Sequence, residues 1–447
     1  MQTPVNKNDE IIVDIIDYGA DGEGIAKVNN YTIFVNNALK GEKLKIHVTK
    51  ALTNYAYAKI VEIIKKSNYR IEPDCQTYKR CGGCSLRHVD YNETLKIKKL
   101  KVENLVNKML ENPIQVNETI GMKNPYFYRN KTIYPINQNR EIGFYTNRSH
   151  NIIPISECKI QSKVSQEIAN YIASNYKGTI YNEKNQKGSL RNIMIREAFQ
   201  TKEIMVVLVQ TDDKIYINLN NLISKFHQIK TVIININKAN TNVVLSQKNK
   251  IIYGEGFITD KLGEYSFKIS PNSFYQVNPS QTEKIYQYAI KQAKLSKKTI
   301  LCDLYCGIGT IGIFASKYVK KVYGIEIVSS AIENARENAQ LNRIDNIEFI
   351  EGDVKFAFDK ILKENIQPNV VIVDPPRKGL DKKTIENLCK LKLQRLVYIS
   401  CNPATLVRDL KELSTTYNIK SIQPFDNFCY TSHVECCSVL TLKDAIQ

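Results

Sequence analysis

The chain has 447 residues, which at roughly 150 residues per domain gives a prior of about three domains and excludes a miniprotein. Hydrophobic residues make up 43% and charged residues 24%, and no apolar run approaches the roughly 20 residues that cross a bilayer, so fully disordered and membrane-spanning chains are excluded. Lys and Arg number 63 against 45 Asp and Glu, and the net charge of +18 points to a polyanionic partner such as nucleic acid, with lysine-rich composition bias as the plain alternative.

The first residues carry Asp9, Glu10 and Asp14 where a secretory signal needs a basic start and an apolar core, so a cytoplasmic location is expected. Residues 10 to 65 alternate short β runs, IIVDII, YTIFV, KLKIHV and YAYAKIVEI, with the turn-rich segments DYGADGEG and NNALKGE. Four or five such strands make a small OB-like barrel, a form that often binds oligonucleotides and as often only packs against neighbours.

From 69 to 270 the pattern is mixed: a cysteine-rich stretch at 75 to 84, a helical run over ETLKIKKLKVENLVNKML, and strands such as EIMVVLVQ and TVIININ whose order the pattern does not fix. Between Cys75 and Leu110 eight Lys or Arg face three acids, an excess that suits an RNA-facing patch or a solvated helix face. The chain holds 11 cysteines, an odd number for a disulfide framework, and in a cytosolic setting cysteines point to metal, catalysis or burial. Cys75, Cys81 and Cys84 are regularly spaced, and either His88 or Cys158 could complete a four-ligand site, for which zinc is the first reading of the residues alone.

From 271 to 447 strands alternate with helices: TILCDLYC, IGIFASKY, KVYGIEI, SSAIENARENAQL, NIEFIEGD, NVVIVDPP, RLVYISC and VECCSVLTL. That order predicts a parallel, doubly wound sheet with its ligand at the C-terminal strand ends. Gly307, Gly309 and Gly312 form G-x-G-x-x-G between a strand and a helix, and Glu326 ends the next strand where a carboxylate can hold the ribose of NAD or of S-adenosylmethionine. Asp303 beside the first glycine turn would repel a pyrophosphate and suits the cationic cofactor. Asp353, after the following strand, is placed for the adenine edge or as a helix cap.

Asp374-Pro-Pro-Arg-Lys-Gly379 closes one strand with a stiff loop, and the next delivers Cys401-Asn-Pro-Ala-Thr405 to the same edge. A thiol there can act as a nucleophile if a nearby group raises its thiolate fraction. Glu435 precedes the last apolar run, where burial can tune a carboxylate toward base work. His433 reads as structural or as a substrate contact, and Cys436 and Cys437 as packing residues. Carbon 5 of a pyrimidine such as uracil is a poor nucleophile, and thiolate addition to carbon 6, methyl transfer to carbon 5 and removal of its proton need one cysteine and one base, which Cys401 and Glu435 supply. The target base must leave its stack to reach them.

DYGADGEGIA and FVNNALKGE resemble a TRAM domain, while SFYQVNPSQ, DLYCGIGTIGI, GIEI, DPPRKGL, SCNPATL and HVEC resemble the motifs of the RNA uracil-5-methyltransferase family, in particular its bacterial 23S ribosomal RNA branch. The resemblance covers nearly the whole chain. It implies a TRAM barrel over 1–68, a central α+β cluster-binding domain over 69–270 and an α/β Rossmann-like methyltransferase domain over 271–447. It further implies Cys401 as nucleophile, Glu435 as base, and Gln276, Tyr305, Glu326, Asp374, Asp353 and Gly307 at S-adenosylmethionine, with Thr310 departing from the polar residue of some relatives. Cys75, Cys81, Cys84 and Cys158 match the ligands of a 4Fe-4S cluster, a set that four thiolates suit. The expected partner is 23S rRNA, with tRNA as the close alternative, no membrane and no obligate protein partner.

Overall fold

The computed structural model describes residues 3–112, 114–146, 149–356, 361 and 366–443, so the outermost residues of the expected end domains lie outside it. β1 (Glu10–Asp14), β2 (Asp17–Tyr18), β3 (Gly24–Val28), β4 (Tyr31–Asn36), β5 (Lys43–Ala51) and β6 (Tyr55–Lys65) form one sheet in the order β1-β5-β6-β4-β3-β2. Tyr31, Ile33 and Val35 on β4 and Leu44, Ile46 and Val48 on β5 are buried in strict alternation, the period-2 pattern that turns one face of a strand to the core. The sheet curls until the Ile16 amide donates to the Ile25 carbonyl at 2.8 Å, nearly closing a barrel. It has six strands, more than the four or five expected, because β2 and β3 grow from the two sides of the DGEG turn, where Gly22 takes a φ of 87°.

Then follow α1 (Tyr91–Met109), β7 (Lys131–Pro135), the hairpin β8 (Gly143–Tyr145) and β9 (Ile152–Pro154), α2 (Lys163–Asn175), β10 (Leu190–Glu197), β11 (Ile204–Gln210), α3 (Leu219–Lys225), β12 (Ile229–Ile236) and β13 (Asn249–Tyr253). The second sheet runs β13-β12-β11-β10-β7, with β11 and β12 parallel and the other pairs antiparallel. β11 is buried along its whole length because both faces are covered. Ile168 and Ile172 of α2 and Leu222 of α3 pack on one face, and on the other Met205, Val207 and Val209 join the core of the C-terminal sheet.

β14 (Ile258–Leu262), β15 (Tyr265–Ile269) and α4 (Pro279–Ala293) lead into β16 (Ile300–Leu304), α5 (Thr310–Ser316), β17 (Lys321–Glu326), α6 (Ser329–Leu341), β18 (Ile347–Glu351), β19 (Val370–Val373), α7 (Lys382–Leu391), β20 (Arg395–Ser400), α8 (Pro403–Leu413), β21 (Tyr417–Phe425) and β22 (Glu435–Leu442). The last seven strands build one sheet, β18-β17-β16-β19-β20-β22-β21, in which β22 alone runs antiparallel to its neighbours. The strand order reverses between β16 and β19, the switch point at which open α/β sheets leave a ligand crevice. The antiparallel end departs from the all-parallel expectation: β21 and β22 form a hairpin, so β22 begins at the edge where the parallel strands finish.

α1 falls in chain order within 69–270, yet Val102 and Val106 pack with Leu406 and Leu410 of α8 in the core of the C-terminal sheet. Its N-terminus is capped by Asp90, whose side chain accepts from the Asn92 and Glu93 amides. No helix among the described residues is long and apolar enough to cross a membrane.

Candidate active site

β16 leads into Tyr305, whose φ of 63° is left-handed for a residue with a side chain, a strained state of the kind that clusters at functional sites. Gly307 and Gly309 follow at φ 55° and 81°. A Cβ on Gly309 would stand 2.7 Å from Phe349, while one on Gly307 would project into open space at the wall of a cavity of about 630 Å³. Glu326 sits opposite, its Oε2 accepting from the Gly307 amide at 3.2 Å and its Oε1 from the Ile327 and Val328 amides at 2.9 and 3.0 Å. Gln276, Tyr305, Gly307, Thr310, Glu326, Asp353, Asp374, Cys401 and Glu435 all line this cavity. The Thr310 hydroxyl lies 3.0 Å from that of Tyr286. Asp353 lines the wall, and its Oδ1 accepts from the Lys355 amide at the start of a helical segment, as a helix cap does.

Asp303 takes a different part from the one expected. It is fully buried and lies off the cavity wall, its Oδ2 accepts from the Gly312 amide at 2.8 Å, and its Oδ1 has no partner. Burial pushes this carboxyl up to about 8, with the charges of Asp374 and Glu326 adding to the effect. It braces the glycine turn through the Gly312 amide. The wall itself carries five carboxyl groups, Glu326, Asp353, Asp374, Asp381 and Glu435, beside Lys355, Arg377 and Lys378.

The hairpin at the end of the sheet brings Cys401 and Glu435 together. Ser400 pairs with Cys436 across the antiparallel β20–β22 ladder, so the next residue of one strand and the preceding residue of the other emerge at one edge. Both Glu435 oxygens are buried, with the Asn427 side chain beside them as a weak hydrogen-bonding neighbour. Burial, reinforced by Asp374, holds the Glu435 carboxyl well above the usual carboxylate range, and burial does the same to Asp374. Burial pushes the Cys401 thiol up to about 11; Glu435 and Asp374 add to this, and Arg377 opposes it.

Arg377 is the group that sequence reasoning missed. It lies in the DPPRKGL motif, and its carbonyl accepts from Asn402 Nδ2 at 3.0 Å and Thr405 Oγ1 at 3.2 Å, clasping the two motif loops together. Asn427 and Phe428 were also missed. Phe428 lines the cavity, and Asn427 Nδ2 donates to Gln276 Oε1 at 3.4 Å.

Cys401 and Arg377 also line a second cavity of about 360 Å³, whose far wall is Tyr18–Asp21 of the barrel and whose sides include Lys101 and Lys108 of α1 and His433. Beyond Gly19 the barrel presents Phe34, Tyr55 and Tyr57 with ring centroids 5.6 to 5.7 Å apart. The basic excess around α1 is only partly available to this surface. Lys98 is buried in an ion pair with Asp426, Arg87 is buried against Asp74, and Lys99 pairs with Glu118.

Cys75, Cys81, Cys84 and Cys158 line a third cavity, of about 240 Å³. His88 does not: its Nδ1 lies 2.6 Å from the Tyr78 hydroxyl, and burial pushes it down to about 3. Burial pushes the Cys84 thiol up to about 12, and Cys158 adds to that rise. Among the described residues no group of three or more His, Cys, Asp or Glu converges to hold a metal ion.

A family model described as tRNA (Uracil-5-)-methyltransferase matches residues 90–443, and one described as TRAM domain matches 4–61. The chain belongs to this methyltransferase family. An uncharacterized RNA methyltransferase of Clostridium acetobutylicum is 44% identical, covering 97% of each chain. One of Oceanobacillus iheyensis is 40% identical over 98% of each. The crystal structure of Pyrococcus abyssi tRNA (uracil-54, C5)-methyltransferase in complex with S-adenosyl-L-homocysteine superimposes with a TM-score of 0.78 at 25% identity, covering 96% of this chain and 100% of that one.

Proposed function

We propose that the protein transfers a methyl group from S-adenosylmethionine to carbon 5 of a uridine in RNA, with Cys401 as nucleophile and Glu435 as base. The juxtaposition of these two side chains at the wall of one cavity, across the β20–β22 ladder, carries the reading. When bound, S-adenosylmethionine supplies an electrophilic methyl group and a positive charge. The residues present fit it: Glu326 is held by three amides, Gly307 leaves open space, and the wall is rich in carboxylates. Gln276, Tyr305, Asp374 and Asp353 complete its surroundings.

The Cys401 thiolate forms a bond to carbon 6 of uracil, and the displaced π electrons make carbon 5 nucleophilic enough to accept the methyl group. The Glu435 carboxylate then takes the carbon 5 proton, the ring double bond re-forms, and the carbon–sulfur bond breaks to release the thiolate. Arg377 favours the thiolate throughout. The RNA strand approaches over the second cavity, whose cations suit phosphates, and the barrel rings beyond Gly19 suit stacking of a neighbouring base.

Cys75, Cys81, Cys84 and Cys158 would hold a 4Fe-4S cluster, since four thiols face one cavity larger than a single ion needs. In this reading it orders the surrounding chain and takes no chemical part in methyl transfer. 23S rRNA is the proposed substrate, on the strength of the TRAM barrel combined with the four-cysteine set. A tRNA uridine is the second reading, favoured by the full-length likeness to the Pyrococcus abyssi enzyme. Methylation of purified 23S rRNA and tRNA, with 5-methyluridine mapped in each, separates them: product in 23S rRNA alone is expected, and product in tRNA alone would replace it.

A further inference from the structure

The loop from Asp426 to Val434 carries Asn427 and Phe428 and leads directly into Glu435, so its position sets one whole wall of the reaction cavity. Within it the Thr431 hydroxyl donates to the Phe428 carbonyl at 2.8 Å and accepts from the His433 amide at 3.2 Å, a local turn that leaves the placement of the whole loop to its neighbours. Tyr430, at its middle, has a left-handed φ of 61°, a conformation that persists only where surroundings impose it.

Tyr128 and Asn278 hold the loop's Cys429 and Asn427 carbonyls, and the cysteine segment holds its middle. The Tyr430 carbonyl accepts from two consecutive amides, Ser85 at 3.0 Å and Leu86 at 2.9 Å, and the Ser432 amide donates to Ser85 Oγ at 2.8 Å. The Arg87 guanidinium, buried and paired with Asp74 at 2.6 Å, lies 4.5 Å from the Tyr430 ring centroid. Ser85 directly follows Cys84, and Cys84 and Cys158 pack against the apolar cluster of Tyr128, Ile160, Cys429 and Tyr430. From the opposite side α1 grips the same loop, Lys98 Nζ donating to the Phe428 carbonyl at 3.0 Å and Lys101 Nζ to that of Ser432 at 3.0 Å. The loop thus has the four-thiol cavity on one side and the reaction cavity on the other.

We propose that the cysteine segment is a positioning element for the reaction: Ser85 and Arg87 hold the 426–434 loop so that Asn427, Phe428 and Glu435 face Cys401. The state of the four thiols is thereby linked to turnover without any electron or proton passing between the two cavities. A displacement of about 1 Å at reacting groups costs on the order of a hundredfold in rate, so a small shift at Ser85 is enough to be read in kcat.

The test uses full-length Ser85→Ala, Arg87→Met and Arg87→Lys, compared with wild type by amide hydrogen exchange, single-turnover methylation, and RNA and S-adenosylhomocysteine affinity. Expected in Ser85→Ala and Arg87→Met is faster exchange at 427–434 with unchanged exchange at 305–312. The single-turnover rate should fall by about tenfold or more while both affinities hold, with Arg87→Lys recovering part of the loss. Weakened RNA binding at an intact rate would make the segment an RNA-binding surface and overturn the proposal, as would unchanged exchange at 427–434. If Arg87→Met loosens the whole chain, Ser85→Ala decides, and a uniform rise in exchange there also overturns it. The kinetic arm rests on the uridine-methylation reading. Wild type that methylates no RNA would refute that reading, while the exchange arm would still decide this one.

Discussion

The reaction cavity and the four-thiol cavity are built by opposite means. The first is assembled from strand ends and backbone: Glu326 is held by three amides, the glycine turn by left-handed backbone, and Cys401 and Glu435 by the register of one ladder. The second is assembled from side chains of two distant segments, Cys75 to Cys84 and Cys158, and is braced by contacts such as Ser85 to Tyr430 that join opposite ends of the chain. A site made of backbone is set by local spacing, whereas a site made of side chains exists only after the chain has closed on itself. The first should therefore fail residue by residue and the second by loosening.

The sharpest break is Cys401→Ala, which should show no detectable 5-methyluridine while S-adenosylhomocysteine still binds by calorimetry, because the thiol stands at the edge of the cavity and is not part of the glycine turn. Glu435→Gln should lower turnover by roughly 10²- to 10⁴-fold, the range of a lost proton-transfer group, and should accumulate a protein–RNA adduct that survives denaturant on gels. Arg377→Met comes next. With Arg377 gone the Cys401 thiol, already pushed up to about 11, rises further, so the limb on which rate increases with pH should move to more alkaline values in a pH–rate profile.

Gly309→Ala should cost about 1–3 kcal/mol in chemical denaturation, through the left-handed φ of 81° and the contact with Phe349, and weaken cofactor binding with it. Asp303→Asn leaves the chemistry in place and changes how stability depends on pH. The native carboxyl is raised to about 8 against about 4 in an unfolded chain, so its contribution to stability is complete below about 4 and is lost as pH rises through about 8. Melting curves of wild type should show that decline between about pH 4 and about pH 8, and those of the Asn variant should show less of it.

Much of the first cavity was legible in the sequence, because G-x-G-x-x-G, GIEI, DPPRKGL and SCNPATL each mark a strand end, and a doubly wound sheet puts strand ends on one side. The hairpin that turns β22 around was not, since the direction of a strand leaves no trace in its composition. Asp303 was misjudged because proximity to the glycine turn in sequence does not say which face of β16 its side chain takes. The basic run near α1 looked like a free patch because Lys98 meets Asp426 only across 328 positions. Arg377 was overlooked for a similar reason: its charge reaches Cys401 across two loops. Spacing alone left Cys158 and His88 both open and the family resemblance singled out Cys158; the fold brings Cys158 to one cavity with the other three thiols and turns His88 toward Tyr78.

A transient bond between Cys401 sulfur and carbon 6 of a uracil ring is the claim on which the chemistry stands. RNA carrying 5-fluorouridine cannot lose fluorine as a proton, so incubation with enzyme and S-adenosylmethionine should arrest the reaction after methyl transfer. Mass spectrometry of the digested complex should then find a methylated fluorouridine on the peptide containing Cys401. Recovery of that peptide unmodified, alongside normal methylation of unfluorinated RNA, would contradict the account.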